Sequence, residues 1–354
     1  MKRILSLVLA LALAVSLTAC GAAREETLDS TAAPVTETAQ PSVEAAGEAV
    51  SYPLTVVDQA GREVTIESEP QTIVSGYYIS TSLVLALGQG DKLVGVEAKA
   101  DTRDIYRLSA PEIMELPSVG TAKEFDLEGC AALDPDLVIL PLKLAEAADS
   151  LAELGIPAIL VNPESQDLLG EARDLMAQCL NCTDAAQALA DFTAGQESNL
   201  AAALEGAEHP TVYLAGNSSL LSTAGGAMYQ SDLITMAGGQ NVAQDLEDSY
   251  WVEVSYEQLL AWDPQVILLA SDAQYTVEDV LADENLADCT AVKNGAVYQM
   301  PNKAEAWDSP VPGGILGAVW LAGQLHPDLV PAQQVEETIE AFYQTFYGFS
   351  YAQA

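Results

Sequence analysis

The scarce basic side chains of this chain concentrate in loops that follow predicted strands. The sequence has 13 Lys and Arg against 52 Asp and Glu, which gives a formal net charge of −39. Five of the basic residues lie in loops that lead away from predicted strands: Lys99, Arg103, Lys123, Lys143 and Lys303. Ligands of open α/β sheets bind outside the carboxyl ends of the strands. These residues therefore predict a site for an anionic ligand held by charge-assisted hydrogen bonds, although lysine is also common in ordinary loops.

Aromatic residues share the same loops. Tyr77 and Tyr78 follow an early buried strand, Tyr250 and Trp251 lie in a later loop, and Trp307 follows the last predicted strand. An exposed aromatic ring at a strand end suits a large, flat or ring-bearing ligand. The alternative for each of them is local packing. Trp307 is the leading single candidate for a ligand contact.

Motifs that carry enzymatic chemistry are missing from the sequence. There is no P-loop, no Gly-x-Gly-x-x-Gly after a strand and no Gly-x-Ser-x-Gly. The two histidines, His209 and His326, each precede a proline at the edge of a predicted element. Cys179 and Cys182 have no second cysteine pair or nearby His to complete a zinc site. We therefore expect no catalytic residue, no bound metal and no cofactor; the alternative is a metal-dependent surface enzyme that uses these two cysteines.

One segment of the sequence occurs twice. Residues 125–140 align without gaps on residues 254–269, and each copy reads as a helix cap, a short helix, an Asp-Pro break and a buried strand. Such a repeat predicts two similar lobes with a ligand-binding cleft between them. Glu128 and Glu257 take the same place, just inside the helix of each copy. The helix dipole alone favours an acid there, but two equivalent carboxylates can also dock on two basic sockets of a partner.

The first residues indicate export and anchoring. Residues 1–19 combine a positive start, a short apolar run and small residues before Cys20, which is typical of a signal peptide. The run before Cys20 is similar to a bacterial lipoprotein box, which makes Cys20 the predicted lipidation site. Residues 20–51 are rich in Ala, Thr, Glu, Ser and Pro, and predict a flexible tether. The acidic composition makes nucleic acid an unsuitable partner.

The remaining pattern predicts an α/β fold with two Rossmann-like lobes bridged by a long helix. Strands alternate with helices over residues 52–166, the predicted N-terminal lobe, and again over residues 209–354, the predicted C-terminal lobe. This alternation favours parallel sheets covered on both faces. Residues 167–208 are almost purely helical, with one interruption near Asn181, and predict the bridging helices.

Together these pieces resemble the substrate-binding lipoproteins of class III ABC importers for ferric siderophores, haem and vitamin B12. The resemblance covers residue 52 to about residue 330. The matching pieces are residues 72–88 and 92–96, the Leu-Asp-Pro-Asp-Leu-Val unit, residues 237–241, and the ending that starts at Trp307-Asp-Ser-Pro.

The resemblance implies two lobes with modest hinge closure and a bridging helix within residues 184–205. It implies that Glu128 and Glu257 pair with arginines of an ABC permease dimer, which works with its ATPase. The ligand it implies is an iron–siderophore or related metal chelate, with molybdate or tungstate, haem and corrinoids as alternatives. We therefore expect a monomeric, lipid-anchored binding protein on the extracytoplasmic face of the cell membrane; a surface adhesion or sensor protein of the same fold is a further alternative.

Overall fold

The computed structural model describes residues 50–246 and 251–354. The predicted signal peptide, most of the predicted tether, Cys20 and Tyr250 lie outside these residues. Among the helices of the described part, none combines the length and the apolar character needed to cross a membrane.

The N-terminal lobe is a small parallel sheet with helices on both sides. Its elements run in the order β1 (Leu54–Val57), β2 (Glu63–Ile66), β3 (Ile73–Ser75), α1 (Tyr78–Ala86), β4 (Leu93–Gly95), α2 (Asp104–Ser109), α3 (Leu127–Ala132), β5 (Leu137–Pro141), α4 (Ala145–Glu153) and β6 (Ala158–Val161). β1 and β2 form an antiparallel hairpin, and the other strands form a parallel sheet in the order β4-β3-β5-β6.

Two helices then lead to the second lobe. The first is α5 (Gln166–Leu180), which begins where the Ser165 side chain accepts a hydrogen bond from the Leu168 amide at 3.2 Å. It ends at Asn181, which takes the left-handed conformation with φ 54°. The second is α6 (Thr183–Ala203), whose 21 residues give a length of about 30 Å at 1.5 Å per residue.

The C-terminal lobe, like the N-terminal lobe, is built on a sheet with helices. Its elements are β7 (Thr211–Ala215), β8 (Ser222–Thr223), α7 (Tyr229–Met236), β9 (Gln240–Asn241), β10 (Val252–Glu253), α8 (Tyr256–Trp262), β11 (Val266–Leu269), α9 (Val277–Leu281), α10 (Thr290–Asn294), β12 (Val297–Gln299), α11 (Gly314–Leu325) and α12 (Ala332–Tyr347). The strand order is β10-β8-β7-β11-β12, with β9 also paired to β7. β9, β7, β11 and β12 pair in parallel, whereas β8 and β10 are antiparallel. The predicted α/β fold with two lobes is confirmed.

The repeated segment has the same conformation in both lobes. Asp126 caps α3 by accepting a hydrogen bond from the Gly129 amide, and Ser255 caps α8 in the same way from the Gln258 amide. Both helices then lead to an aspartate with positive φ, one residue before a proline: Asp134 at φ 50° and Asp263 at φ 43°. The left-handed aspartate and the proline together end each helix and turn the chain into a buried strand.

The two lobes share one hydrophobic core. In β5, Leu137 and Ile139 contribute to a core cluster that extends through both lobes and the bridging helices, whereas Val138 and Leu140 face a cluster confined to the N-terminal lobe. The side chains of β11 alternate between two clusters in the same way, since Ile267 faces a cluster confined to the C-terminal lobe. Alternation along a strand sends successive side chains to opposite faces. Each sheet therefore has one face toward the common core, which limits how freely the lobes can move.

The C-terminal helix crosses back to the first lobe. The hydroxyl of Tyr347 in α12 donates to the Ser82 carbonyl oxygen in α1 at 3.2 Å. Phe192 of α6 packs against Phe342 and Phe346 of α12, with ring centroids 5.3 and 5.6 Å apart. The helix is therefore a second connection between the lobes, beside α5 and α6.

Candidate functional site

A cavity of about 700 Å³ lies between the lobes. The N-terminal wall consists of Ala122, in the segment before α3, and of residues at or just after the ends of β3, β5 and β6: Tyr77, Tyr78, Pro141, Leu142, Lys143, Val161, Asn162, Pro163 and Glu164. The C-terminal wall consists of Asn217, Ala227, Met228, Tyr229, Gln230, Trp251, Ser271, Asp272, Asp308, Ser309 and Pro310. The walls meet here because the carboxyl ends of the parallel strands in each lobe face the same gap.

Aromatic rings from both lobes face this cavity. Tyr77 and Tyr78 meet edge to face, with ring centroids 5.2 Å apart. Trp251 comes from the opposite lobe, and 36% of its surface is exposed. Its ring lies against the Gly216 backbone so closely that a Cβ on Gly216 would come within 2.9 Å of the ring. The glycine therefore makes room for a large, accessible aromatic surface opposite the two tyrosines.

A buried carboxylate forms part of the C-terminal wall. Asp308 accepts hydrogen bonds from Ser271 through both carboxylate oxygens, one from the Ser271 amide at 2.9 Å and one from its hydroxyl. Gln230 donates from Nε2 to the Asp308 carbonyl oxygen at 2.8 Å. Burial raises the pKa of Asp308, and the bonds from Ser271 partly oppose that rise. The wall therefore presents a fixed acceptor group to the cavity.

The structure does not bring the five predicted basic residues together around the cavity. Of the five predicted cations, Lys143 alone is among the described residues that line the cavity. Three acidic residues line it as well: Glu164, Asp272 and Asp308. These acids follow β6, β11 and β12, and acidic residues are too common in this chain for their positions at strand ends to be a signal in the sequence. The described lining thus carries more acidic than basic groups.

The other predicted cations have different surroundings. Arg103 lies behind Tyr78, with its guanidinium carbon 4.4 Å from the ring centroid, and pairs with Glu97 at 3.2 Å. Lys99 is exposed at a turn with φ 68°. Lys123 is exposed beside the lining residue Ala122. Lys303 donates to the Tyr351 carbonyl oxygen at 3.3 Å, in the C-terminal tail.

Trp307, expected from the sequence to be an exposed ligand contact, is buried in the structure. Its side chain is 1% exposed. The indole Nε1 donates to the Tyr343 hydroxyl at 2.8 Å, and the ring stacks on Tyr351 with centroids 5.6 Å apart. Tyr343 belongs to α12 and Tyr351 to the tail behind it, so the end of the chain covers a residue that follows a strand end. The aromatic-rich run 342–351 was the signal for this packing.

Two helices begin at the cavity without a side-chain cap. α1 starts after Tyr77 and α7 after Met228, and neither N-cap side chain accepts a hydrogen bond from the first turn. Both N-cap residues line the cavity. The free amides and the positive end of the dipole at a helix start favour negatively charged groups. This feature offsets part of the acidic character of the walls.

The four cysteines of the described residues lie in the interior of the protein. Cys130, Cys179, Cys182 and Cys289 are buried free thiols. Burial raises the pKa of Cys179 to about 12 and that of Cys182 to about 11. Over residues 50–246 and 251–354, no group of three or more His, Cys, Asp or Glu side chains is arranged to hold a metal ion.

The two repeated glutamates are exposed. Glu128 lies in the first turn of α3 and Glu257 in the first turn of α8. Hydrogen bonds from its own amide and from the Ser255 side chain lower the pKa of Glu257. Both glutamates are therefore presented to solvent at equivalent places in the two lobes.

Comparison with known proteins agrees with this architecture. Residues 73–304 match the periplasmic binding protein family. The chain is 26% identical to the molybdate-binding protein MolA of Haemophilus influenzae over 323 residues, which cover 84% of this chain and 91% of MolA. The structure of MolA bound to molybdate matches with a TM-score of 0.73 and 25% identity, and covers 84% of this chain and 98% of that chain.

Two further relatives extend the comparison. The vitamin B12-binding protein of Yersinia pestis is 30% identical over 237 residues, 65% of this chain and 76% of that protein. The substrate-binding lipoprotein YvrC of an ABC transporter in Bacillus subtilis, itself uncharacterized, is 25% identical over 295 residues, 78% of this chain and 87% of that protein. The chain therefore belongs to the periplasmic binding protein family, as an extracytoplasmic solute-binding protein of the class III ABC-importer type and not an enzyme.

Proposed function

We propose that this protein captures a metal chelate, foremost an iron–siderophore, in the interlobe cavity and delivers it to an ABC permease. The observation that carries the proposal is the size and lining of that cavity. Its volume of about 700 Å³ is within the range of about 300–1,000 Å³ that is typical of sites for organic ligands. Tyr77, Tyr78 and Trp251 present rings to it from both lobes, which suits a large chelate with extensive apolar surface.

The charges favour one kind of chelate. The lining combines Lys143 with Glu164, Asp272 and Asp308, so a chelate with several negative charges would meet repulsion from the walls. A neutral or singly positive chelate, such as a ferric trihydroxamate, fits this surface better than a ferric tricatecholate. The buried Asp308 offers an acceptor to hydrogen-bond donors of the chelate.

A tetrahedral oxyanion is the second candidate. The uncapped starts of α1 and α7 support it, since both face the cavity. The similarity to MolA, named as a molybdate-binding protein, supports it too. Against it stands the volume: an oxyanion has the size of only a few water molecules, each of which takes about 30 Å³ in the liquid.

Delivery depends on the two exposed glutamates. We propose that Glu128 and Glu257 pair with basic sockets on the two permease subunits, one for each lobe. Their equivalent places in the repeated segment support this role. We further propose that Cys20 is lipidated and holds a monomer at the extracytoplasmic face of the membrane. The relative YvrC, named as a lipoprotein, supports this anchor.

Native mass spectrometry with an absorbance spectrum tests the ligand class. Residues 46–354 form one compact unit and serve as the sample. The probes are a ferric trihydroxamate, a ferric tricatecholate, haem, cyanocobalamin, molybdate and tungstate. A one-to-one complex with the trihydroxamate is expected. Binding of molybdate or tungstate alone would instead support the second candidate, and no binding of any chelate would contradict the proposal.

A further inference from the structure

A buried polar network stands behind Tyr78, on the side away from the cavity. Its centre is Glu97, a carboxylate that is 6% exposed. Glu97 accepts hydrogen bonds from the Tyr106 hydroxyl at 2.8 Å and from the Thr81 hydroxyl at 2.7 Å. It also pairs with Arg103 at 3.2 Å between the arginine Nε and the carboxylate. The carboxylate thus joins three partners, which fixes the orientation of the Arg103 side chain.

Arg103 in turn supports Tyr78. Its guanidinium carbon is 4.4 Å from the centroid of the Tyr78 ring, a cation–π arrangement. The Tyr106 hydroxyl also donates to the Tyr78 carbonyl oxygen at 3.2 Å. Arg103 therefore contacts the ring of Tyr78 and Tyr106 contacts its backbone, both on the side away from the cavity. Neither Glu97 nor Arg103 is among the described residues that line the cavity.

Tyr78 reaches the other lobe. Its side chain interacts with that of Ser309, and both residues line the cavity. Ser309 belongs to the segment before α11, in the C-terminal lobe, whereas Tyr78 begins α1 in the N-terminal lobe. A polar contact between the two lobes therefore lies at the wall of the cavity.

We propose that Glu97 and Arg103 are positioning residues that set the width of the cavity by holding Tyr78 against Ser309 of the opposite lobe. Arginine suits this role because its planar guanidinium can stack on a ring while a side-on N–H binds a carboxylate. A lysine keeps the charge but cannot make both contacts with the same geometry. The proposal rests on the proposed function only in treating this cavity as the ligand site.

Hydrogen exchange of the ligand-free protein tests the proposal. Arg103→Gln is compared with Arg107→Gln, a control in helix α2, which begins directly after Arg103; Arg107 forms an exposed pair with Asp104 at 2.6 Å. The readout is amide exchange at Val311 and Gly314 in the opposite lobe, which bond to nearby carbonyls of their own turn. We expect about fivefold faster exchange in Arg103→Gln, as for loss of one buried hydrogen bond, and no change in Arg107→Gln.

Two further variants complete the experiment. Ser309→Ala should speed exchange by the same factor, and Arg103→Gln should add nothing in the Ser309→Ala background, because both break one chain of contacts. Arg103→Lys, the milder change, should give an intermediate rate and guards against a folding defect in the glutamine variant. Equal rates in the two arginine variants, or fully additive effects with Ser309→Ala, would overturn the proposal. Because no ligand is used, failure here is separable from failure of the binding panel.

Discussion

The indole nitrogen of Trp307 donates to the Tyr343 hydroxyl at 2.8 Å, so the segment after the last strand is fastened to the C-terminal helix. Tyr343 also donates to Glu305 at 3.3 Å. The same segment continues into Asp308 and Ser309, which line the cavity. Trp307 therefore supports the ligand site from the core.

Replacement of Trp307 should reduce stability and spare binding. Trp307→Ala removes a buried ring, which typically costs about 3–5 kcal/mol of unfolding free energy. Trp307→Phe should cost less, since it loses the hydrogen bond and part of the volume. Urea unfolding measures the loss, and titration of the folded Trp307→Phe protein with a ferric trihydroxamate should give an unchanged dissociation constant.

Replacement of Trp251 should have the reverse effect. Its ring is exposed in the cavity and contributes little to the core. Trp251→Ala should leave the urea midpoint close to that of the wild type and weaken chelate binding roughly tenfold, as expected for loss of about 1.4 kcal/mol of ring contact. Isothermal titration of the two tryptophan variants side by side checks this contrast; a large stability loss in Trp251→Ala with intact binding would refute it.

Glu305 should make the protein less stable as the pH rises. Burial raises the pKa of this carboxyl to about 8. Because the folded state holds the proton more tightly than the unfolded state, its stability contribution is full below the unfolded pKa of about 4.5 and is lost as the pH rises to about 8. The loss should approach about 1.4 kcal/mol per pH unit within that window.

Unfolding in urea at pH 5, 6.5 and 8 measures this dependence. Glu305→Gln, which cannot ionise, should flatten the decline and be more stable than the wild type at pH 8. The matched control is Glu336→Gln, an exposed carboxylate on α12. A decline of equal slope in wild type and Glu305→Gln would mean that another group is responsible.

Charge reversal at the two repeated glutamates should separate transport from binding. Glu128→Lys and Glu257→Lys should each reduce uptake of the ligand in cells, and the double variant should abolish it, while the dissociation constant stays unchanged. Glu278→Lys is the control, because Glu278 is exposed in the first turn of α9, outside the repeated segment. Loss of ligand binding in either reversal would show that the docking assignment is wrong.

The thiols of residues 46–354 should be unreactive in the folded protein. Burial raises the pKa of Cys130 to about 11 and that of Cys179 to about 12, so the nucleophilic thiolate is scarce as well as enclosed. A thiol-exchange reagent at pH 8 should label none of the four cysteines until urea is added. Fast labelling of Cys179 or Cys182 under native conditions would revive a role for that pair.

Much of the fold could be predicted because its signals are local. The caps at Asp126 and Ser255 and the Asp-Pro breaks after them are short-range features that sequence displays directly. The apolar runs of β5 and β11 are equally plain, since strands buried on both faces lack alternation. The repeat then follows from comparing the chain with itself.

The site was harder to predict because it depends on which loops meet. Tyr77, Lys143 and Trp251 follow from the rule that ligands lie at strand ends. The same rule failed for Trp307, since Tyr343, 36 residues later in the chain, covers it. Arg103 does not line the cavity for a similar reason, because its ion pair with Glu97 holds it behind Tyr78. Long-range packing of this kind leaves no periodic signal in the sequence.

The decisive measurement is a crystal structure of residues 46–354 with the tightest-binding chelate of the panel, because it shows where the ligand lies. We expect one chelate in the interlobe cavity, with its surface against Tyr77 and Trp251 and a donor group toward Asp308. A chelate bound outside this cavity, or an oxyanion held only by the starts of α1 and α7, would contradict it.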